Sequence, residues 1–239
     1  AYAISDCLVG SEMCIRDSFY TSHEALLLPY EQAFTRIDST TGEWYNVNSH
    51  FLWVGDRTRD PNGAHIHYLS GIKNPLGLKV GPSTTIDDLK KNIEILNPEN
   101  EGGRLTLIVR MGADKINSKY PDLLKEINKL GLNLTWICDP MHGNTSTSKS
   151  GYKTRATENI FKEIQSFFEI HKSEGSVAGG VHLELTGLDV TECVGGPDDI
   201  KDENLGDRYH TFCDPRLNVN QSLELSFLLA DLLSNGEMN

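Results

Sequence analysis

The chain lacks an excess of basic residues. Its 22 lysines and arginines stand against 34 aspartates and glutamates, which gives a formal net charge of -12. That balance argues against nucleic acid or an anionic membrane as the main partner, although a local basic cluster can still bind an anionic substrate. The sequence also contains no apolar run near the roughly 18 to 20 residues of a membrane-spanning helix. We therefore expect no nucleic acid and no membrane among the partners.

The sequence has neither the cysteine pattern of a disulfide framework nor the usual nucleotide-binding motifs. The five cysteines are Cys7, Cys14, Cys138, Cys193 and Cys213. An odd number in a chain of this length does not indicate a disulfide framework, so a reducing compartment is expected. Neither G-x-G-x-x-G after a strand nor G-x-x-x-x-G-K occurs.

Residues 1–18 lack the features of a targeting signal. The segment AYAISDCLVGSEMCIRDS has no basic start, no long apolar centre and no clear periodicity. It resembles a translated sequencing-adapter read-through, so we expect a non-native leader, with a frayed native N-terminus as the alternative. The domain is then expected to occupy residues 19–239.

What remains is ordinary for a globular protein, with 38% hydrophobic and 23% charged residues. Short apolar runs predict six strands, at residues 19–22, 50–55, 76–80, 104–110, 132–137 and 180–185. Helical periodicity or capping predicts six helices, at about residues 29–37, 65–72, 84–96, 115–130, 157–171 and 217–233, and residues 43–47 suit one arm of a small hairpin. This alternation indicates a parallel α/β sheet, either open and doubly wound or closed as a barrel. The missing nucleotide motifs favour the barrel.

The stretch CDPMHGNT, residues 138–145, follows the fifth predicted strand. Pro140 and Gly143 end that strand, which places His142 just beyond its carboxyl end. Ligands and metals bind at this end of the strands in α/β proteins. A lone histidine is more often structural than a ligand, so its role depends on its neighbours.

Polar side chains stand at the ends of nearly all the predicted strands. In chain order they are Glu24, Asp56, Arg57, Lys79, Arg110, His142, Glu184 and, in the following loop, Asp214. Each alone is consistent with a solvated strand end. Together they are expected to converge, because the carboxyl ends of barrel strands meet at one mouth.

This set of side chains contains two kinds of chemistry. An imidazole and two carboxylates, a ligand set suited to Mn²⁺, Fe²⁺, Co²⁺ or Zn²⁺, come from His142, Glu184 and Asp214. Cations suited to binding phosphate come from Arg57, Lys79 and Arg110. A metal beside phosphate-binding cations indicates chemistry on phosphorylated metabolites.

Eight segments carry a resemblance to a known family. They are residues 23–28 (HEALLL), 53–59 (WVGDRTR), 74–79 (NPLGLK), 108–112 (IVRMG), 138–145 (CDPMHGNT), 182–187 (HLELTG), 191–196 (TECVGG) and 209–218 (YHTFCDPRLN). Over nearly all of residues 19–239 the chain resembles the type II (plant-like) 3-deoxy-D-arabino-heptulosonate 7-phosphate synthases. The resemblance implies a (β/α)8 TIM barrel, of which this chain would hold about strands three to eight. It also implies condensation of phosphoenolpyruvate with erythrose 4-phosphate, the first step of the shikimate pathway.

The resemblance assigns the metal site. His142, Glu184 and Asp214 match three of the family's four metal ligands, and Mn²⁺ is the first expectation among Mn²⁺, Co²⁺, Fe²⁺ and Zn²⁺. The fourth ligand is a cysteine on the first barrel strand, and no cysteine of this sequence lies in that motif. Cys213 instead matches the family's cysteine beside the last ligand.

The resemblance also assigns substrate contacts. Lys79 and Arg110 match residues that hold the phosphoenolpyruvate phosphate, helped by the backbone around Asp56 and Arg57. Arg57 is also expected near the aldose phosphate, and Asp56 stands where many members have glutamate. Two further pocket residues are matched by Glu24 and Trp53. For proton transfer, only Glu24 and Lys79 are candidates.

Several expectations concern the whole protein. The family's second barrel strand carries an arginine and a lysine that contact substrate, and that strand is not found in this sequence. We therefore expect this chain alone to be inactive, and the full-length protein to be a homo-oligomer. The expected compartment is the cytoplasm of a bacterium, or the plastid of a plant or alga. The alternatives are another metal-dependent barrel enzyme, such as an aldolase or phosphohydrolase, and a catalytically inactive binding paralogue.

Overall fold

The computed structural model describes residues 20–237. Its strands are β1 (Ser22–Glu24), β2 (Thr35–Ile37), β3 (Trp44–Asn46), β4 (Phe51–Val54), β5 (Leu76–Val80), β6 (Leu105–Val109), β7 (Thr135–Cys138), β8 (Ser146–Thr147), β9 (Lys153–Thr154) and β10 (Gly180–Val181). Its α-helices are α1 (Leu28–Ala33), α2 (Ala64–Ser70), α3 (Ile86–Leu96), α4 (Ile116–Asn128), α5 (Thr157–Ser173) and α6 (Val219–Glu237). Two 3₁₀ segments cover His142–Asn144 and Asp202–Arg208. The expectation for residues 1–18 lies outside the described residues.

Six strands form one sheet, in the order β1-β4-β5-β6-β7-β10. All the neighbouring strands in it are parallel, and from β4 onward each consecutive pair is connected through one of the helices α2 to α5. The predicted parallel α/β sheet is thus confirmed. Within the described residues, no helix is both long and apolar enough to cross a membrane.

Alternation along the strands separates a packed outer face from an inner face. Leu76, Leu78 and Val80 of β5 are buried in the main hydrophobic core, which the helices also line. The residues between them, Gly77 and Lys79, point to the opposite face because successive side chains of a strand alternate. The sequence pattern of each strand therefore decides which side chains reach the inside of the sheet.

The sheet is curled. Trp53 on β4 and His182, directly after β10, have ring centroids 5.0 Å apart. These strands lie four positions apart in the sheet, which would separate them by roughly 19 Å if the sheet were flat. Contact between the two rings therefore requires a strongly curved sheet whose inner side chains face one another. The curvature brings the carboxyl ends of distant strands to one mouth.

Some predicted boundaries were wrong. The helix predicted over 29–37 ends at Ala33, and Thr35–Ile37 instead pairs antiparallel with Trp44–Asn46. The Thr35 hydroxyl donates a hydrogen bond to the carbonyl oxygen of Glu31 at 2.8 Å, and the β-branched Thr35 and Ile37 suit a strand. The hairpin predicted around residues 43–47 is confirmed.

The first and last strands of the sheet also differ from the prediction. β1 lies at Ser22–Glu24, a little later than expected, and β10 covers only Gly180–Val181. The chain beyond β10 changes partner, because Leu185 forms a parallel bridge with Leu217. There the amide of Leu217 donates to the carbonyl oxygen of Glu184 at 3.0 Å. This bridge brings the segment that contains Glu184 beside the loop that contains Asp214.

Candidate metal centre and active site

The loop after β7 is held by a close contact between two glycines. A Cβ placed on Gly143 would lie 2.8 Å from the Cα of Gly112, and Gly112 itself has a φ of +85°. The loops after β6 and β7 can therefore touch through their backbones only because neither residue has a side chain. This contact fixes the 3₁₀ turn that begins at His142.

Three predicted metal ligands come together at this mouth. Nε2 of His142 lies 3.2 Å from Oε1 of Glu184 and 4.0 Å from Oδ2 of Asp214. One ligand atom from each of the three residues lies within 4.8 Å of the others, and all three side chains are half-buried. One imidazole nitrogen and two carboxylate oxygens at this spacing fit a single divalent transition-metal ion.

Asp139 supports His142 from behind. Its side chain is fully buried, and Oδ2 lies 2.7 Å from Nδ1 of His142 and 2.5 Å from Nζ of Lys79. Burial would raise the pKa of Asp139, but the contacts with His142 and Lys79 hold it well below its usual range. Because Nδ1 donates to this carboxylate, Nε2 faces Glu184 and Asp214.

The pKa values of the two histidines at the mouth are shifted in opposite directions. For His142 burial opposes the charge, but the hydrogen bonds with Asp139 and Glu184 outweigh it and raise the pKa to about 9. For His182 burial, aided by the charge of Lys79, lowers the pKa to about 4. His182 is therefore neutral near pH 7, and its ring packs against Trp53.

The predicted cations lie at different depths. Lys79 is buried, pairs with Asp139 and places its ammonium 5.6 Å from the centre of the Trp53 ring. Arg110 donates from Nη2 to the carbonyl oxygen of His142 at 2.9 Å, and from Nη1 to Asp56 at 2.8 Å. Both residues are therefore connected directly to the loop that carries the candidate metal ligand.

The other predicted contact residues line the rim. The carboxylate of Asp56 binds Arg59 as well as Arg110, so its side chain acts as a support for cations. Arg57 is exposed, and no hydrogen bond or ion pair to it is found in residues 20–237. Glu24, at the end of β1, is half-buried with its carboxylate directly against Gly55.

Two neighbours of the candidate ligands were missed by sequence reasoning. Nζ of Lys153 lies 2.7 Å from Oδ1 of Asp214, and the buried guanidinium of Arg155 donates to Glu184. Burial raises the pKa of each carboxylate, but the contacts made by His142, Arg155 and Lys153 keep both pKa values below their usual range. The sequence Lys153-Thr154-Arg155 contained a signal that could have identified them. Two basic residues separated by one position lie on the same side of a strand, because successive side chains alternate.

Comparisons with known proteins agree with this arrangement. A model of the Class-II DAHP synthetase family matches residues 8–230. The chain is 55% identical over 214 residues to the phospho-2-dehydro-3-deoxyheptonate aldolase of Streptomyces coelicolor, a match that covers 90% of this chain and 48% of that protein. It is 49% identical over 219 residues to a probable chloroplastic phospho-2-dehydro-3-deoxyheptonate aldolase of Catharanthus roseus, which covers 92% of this chain and 42% of that protein. The chain thus spans about half the length of the curated relatives it matches.

A solved structure shares the fold. The crystal structure of phospho-2-dehydro-3-deoxyheptonate aldolase (DAHP synthase) from Thermotoga maritima superposes with a TM-score of 0.54 at 16% sequence identity. The match covers 94% of this chain and 53% of that chain. At this identity the likeness concerns the course of the backbone alone.

Proposed function

Because the chain belongs to the Class-II DAHP synthetase family, we propose that it carries part of the active site of a 3-deoxy-7-phosphoheptulonate synthase. The reaction would condense phosphoenolpyruvate with erythrose 4-phosphate and release inorganic phosphate. It would begin the shikimate pathway to chorismate and the aromatic amino acids. The observation that carries the proposal is the cluster of His142, Glu184 and Asp214, joined through Asp139 to the buried Lys79.

The metal proposal assigns three ligands in this chain. Nε2 of His142 and one oxygen each of Glu184 and Asp214 would hold the ion, with Mn²⁺, Co²⁺, Fe²⁺ and Zn²⁺ all compatible with the donors. When bound, the ion would supply Lewis-acid polarisation of the aldehyde oxygen. Asp139 would keep the His142 ring in place during turnover, because the two share a hydrogen bond at 2.7 Å.

The cations would bind and orient the substrates. Lys79 and Arg110 would hold the phosphoenolpyruvate phosphate, with the backbone at Asp56 and Arg57 as further donors. Both side chains are fixed by carboxylates, Asp139 and Asp56, so little freedom is lost when the anion binds. The exposed guanidinium of Arg57 is free to reach the aldose phosphate. Alignment of the two reactants would make the condensation effectively unimolecular.

Two side chains would complete the pocket. Trp53 would form an apolar wall beside the ammonium of Lys79 and the neutral ring of His182, which both lie close to its ring. Glu24 and Lys79 remain the proposed proton-transfer groups. The contact with Asp139 holds the ammonium of Lys79 in place at the mouth.

The wider assignments are part of the same proposal. Residues 19–239 would form a partial (β/α)8 catalytic barrel, with the six parallel strands as strands three to eight. The full-length protein would be a homo-oligomer. The cytoplasm of a bacterium, or a plastid in a plant or alga, remains the predicted compartment.

The first experiment tests the metal ligand and the reaction together. In the intact protein, His142→Ala should reduce consumption of phosphoenolpyruvate by more than about 100-fold, because loss of a group behind a metal ligand already costs roughly 10- to 100-fold. Activity should require erythrose 4-phosphate, disappear with a chelator and return with Mn²⁺. The exposed His67 gives a matched control, since His67→Ala should leave the rate unchanged.

The alternative enzyme classes give different results in the same assay. A phosphohydrolase would release phosphate without the aldose, and an inactive paralogue would release none under any condition. Unchanged metal dependence in His142→Ala would contradict the ligand assignment.

A further inference from the structure

The two carboxylates of the proposed metal site share one pattern of contacts. Glu184 turns Oε1 towards Nε2 of His142, at 3.2 Å, and gives Oε2 to the guanidinium of Arg155. Asp214 turns Oδ2 towards the same nitrogen, at 4.0 Å, and gives Oδ1 to the ammonium of Lys153, at 2.7 Å. In each carboxylate one oxygen therefore faces the imidazole and the other is held by a cation.

Both cations come from one extended segment. Lys153 begins β9, and Arg155 follows two residues later, so the alternation of a strand directs both towards the carboxylates. The segment is anchored to residues 192–194 by two hydrogen bonds. The amide of Val194 donates to the carbonyl oxygen of Arg155 at 2.9 Å, and the Thr154 hydroxyl donates to the carbonyl oxygen of Glu192 at 2.9 Å.

Arg155 connects three loops of the mouth. Its side chain has 0% exposure, and it donates to the Thr145 hydroxyl at 3.0 Å, to Glu184 and to the carbonyl oxygen of Pro215. Thr145 belongs to the loop of His142, and Pro215 directly follows Asp214. Burying a guanidinium is unfavourable unless its partners are well placed, so this position needs a reason beyond filling space.

We propose that Lys153 and Arg155 are positioning residues that make Asp214 and Glu184 bind metal through one oxygen each. The inference rests on the proposed function, because it takes these carboxylates as ligands. With the second oxygen occupied, neither carboxylate can close a two-oxygen chelate around the ion. Coordination positions then stay open for substrate oxygen, and the two cations balance the two carboxylate charges.

Binding of Co²⁺ tests the proposal without any substrate. Arg155→Lys keeps the charge but removes the planar fork, so Glu184 is released to bind through both oxygens. We expect a loss of intensity in the visible Co²⁺ absorption band, since a higher coordination number lowers the intensity of Co²⁺ bands. Arg104→Lys is the matched control. Arg104 is also a buried arginine, but it binds only backbone carbonyls, at the opposite end of the strands.

A second variant avoids the core altogether. The side chain of Lys153 is 50% exposed, so Lys153→Met should fold normally and weaken the Co²⁺ band by freeing the second oxygen of Asp214. Lys149→Met, an exposed lysine between β8 and β9, should leave the band as in the wild type. If Lys153→Met gives the wild-type spectrum, or if Arg104→Lys changes it as much as Arg155→Lys does, the proposal is overturned. A wild-type protein that binds no Co²⁺ would instead overturn the metal site of the proposed function, on which this inference depends.

Discussion

At the scale of single residues, Asp139 connects the two chemistries of the mouth. One of its oxygens contacts both the imidazole of His142 and the ammonium of Lys79. A displacement at either partner is therefore transmitted to the other through a single atom. Binding of phosphate at Lys79 and of metal at His142 should consequently be coupled.

Asp139→Asn tests this coupling. The variant leaves the buried ammonium of Lys79 without its counter-charge, which typically costs about 3 to 5 kcal/mol of stability. It should also weaken Mn²⁺ binding by roughly 10- to 100-fold, because the His142 ring loses its charged support. Denaturant unfolding and Mn²⁺ titration measure the two effects.

The control is an exposed pair. Glu126→Gln removes the carboxylate that contacts Lys129 on the surface of α4, and it should change neither quantity. Mn²⁺ affinity that is equal in Asp139→Asn and in the wild type would rule out a supporting role for Asp139.

Individual residues differed in how far the sequence could identify them. His142, Glu184 and Asp214 were predicted because each stands at or beyond the end of a predicted strand and offers a metal-binding group. Lys153 and Arg155 were missed because they lie on and directly after a two-residue strand outside the main sheet, where strand-end reasoning does not apply. Their contacts with Asp214 and Glu184 depend on the Leu185–Leu217 bridge, a long-range contact that periodicity cannot reveal.

At the scale of elements, the loops after β6 and β7 are positioned by the contact of Gly112 with Gly143. Both neighbouring atoms on Gly112 belong to the backbone, so a new side chain could not be accommodated by a rotamer change. The turn that carries His142 would have to move.

Gly143→Ala should therefore destabilise the protein and disturb the metal site. We expect about 1 to 3 kcal/mol lower stability, the usual effect of overpacking, together with weaker Mn²⁺ binding. Gly102→Ala is the control, since nothing lies within 4 Å of the position of its Cβ. Thermal unfolding and metal titration of both variants would settle the matter, and equal behaviour would contradict the importance of the contact.

The sequence predicted elements better where local and long-range preferences agree. For α3, the Thr85 side chain accepts from the amide of Asp88 at 3.1 Å, as its capping position predicts. For residues 35–37, helical spacing favoured a helix, but pairing with Trp44–Asn46 determined the outcome. Such pairing depends on a partner outside the local window, so single-segment patterns do not contain it.

At the scale of the whole molecule, two buried groups set opposite responses to pH. Burial lowers the pKa of His171 to about 4, and its ring nitrogens contact Tyr120 and Ser176. Burial raises the pKa of Glu163 to about 7, although its carboxylate accepts backbone hydrogen bonds from Met111 and Gly112.

The signs follow from proton uptake. Between pH 6.5 and about 4 the unfolded chain protonates His171 and the folded chain does not, so this histidine lowers stability as pH falls. Between pH 4.5 and about 7 the folded chain retains a proton on Glu163 that the unfolded chain loses, so this glutamate lowers stability as pH rises. The two effects offset each other near pH 5 to 6.5.

Single variants should separate them. His171→Gln should leave the Glu163 effect, so stability falls from pH 5 to 7, whereas Glu163→Gln should give a rise of about 2 kcal/mol over that range, most of it below pH 6.5. Denaturant unfolding at several pH values measures both slopes. His67→Gln, at an exposed position, should follow the wild type, and parallel curves for all the variants would contradict the assignment.

The bridge between Leu185 and Leu217 has a consequence for how the protein folds. The three ligand atoms come from loops far apart in the chain, and two of them meet only once this bridge has formed. Contacts of such sequence separation form late on a folding pathway. An ion that needs all three ligands should therefore leave the refolding rate nearly unchanged and should slow unfolding. Bound metal would then stabilise the native state without stabilising the transition state for folding.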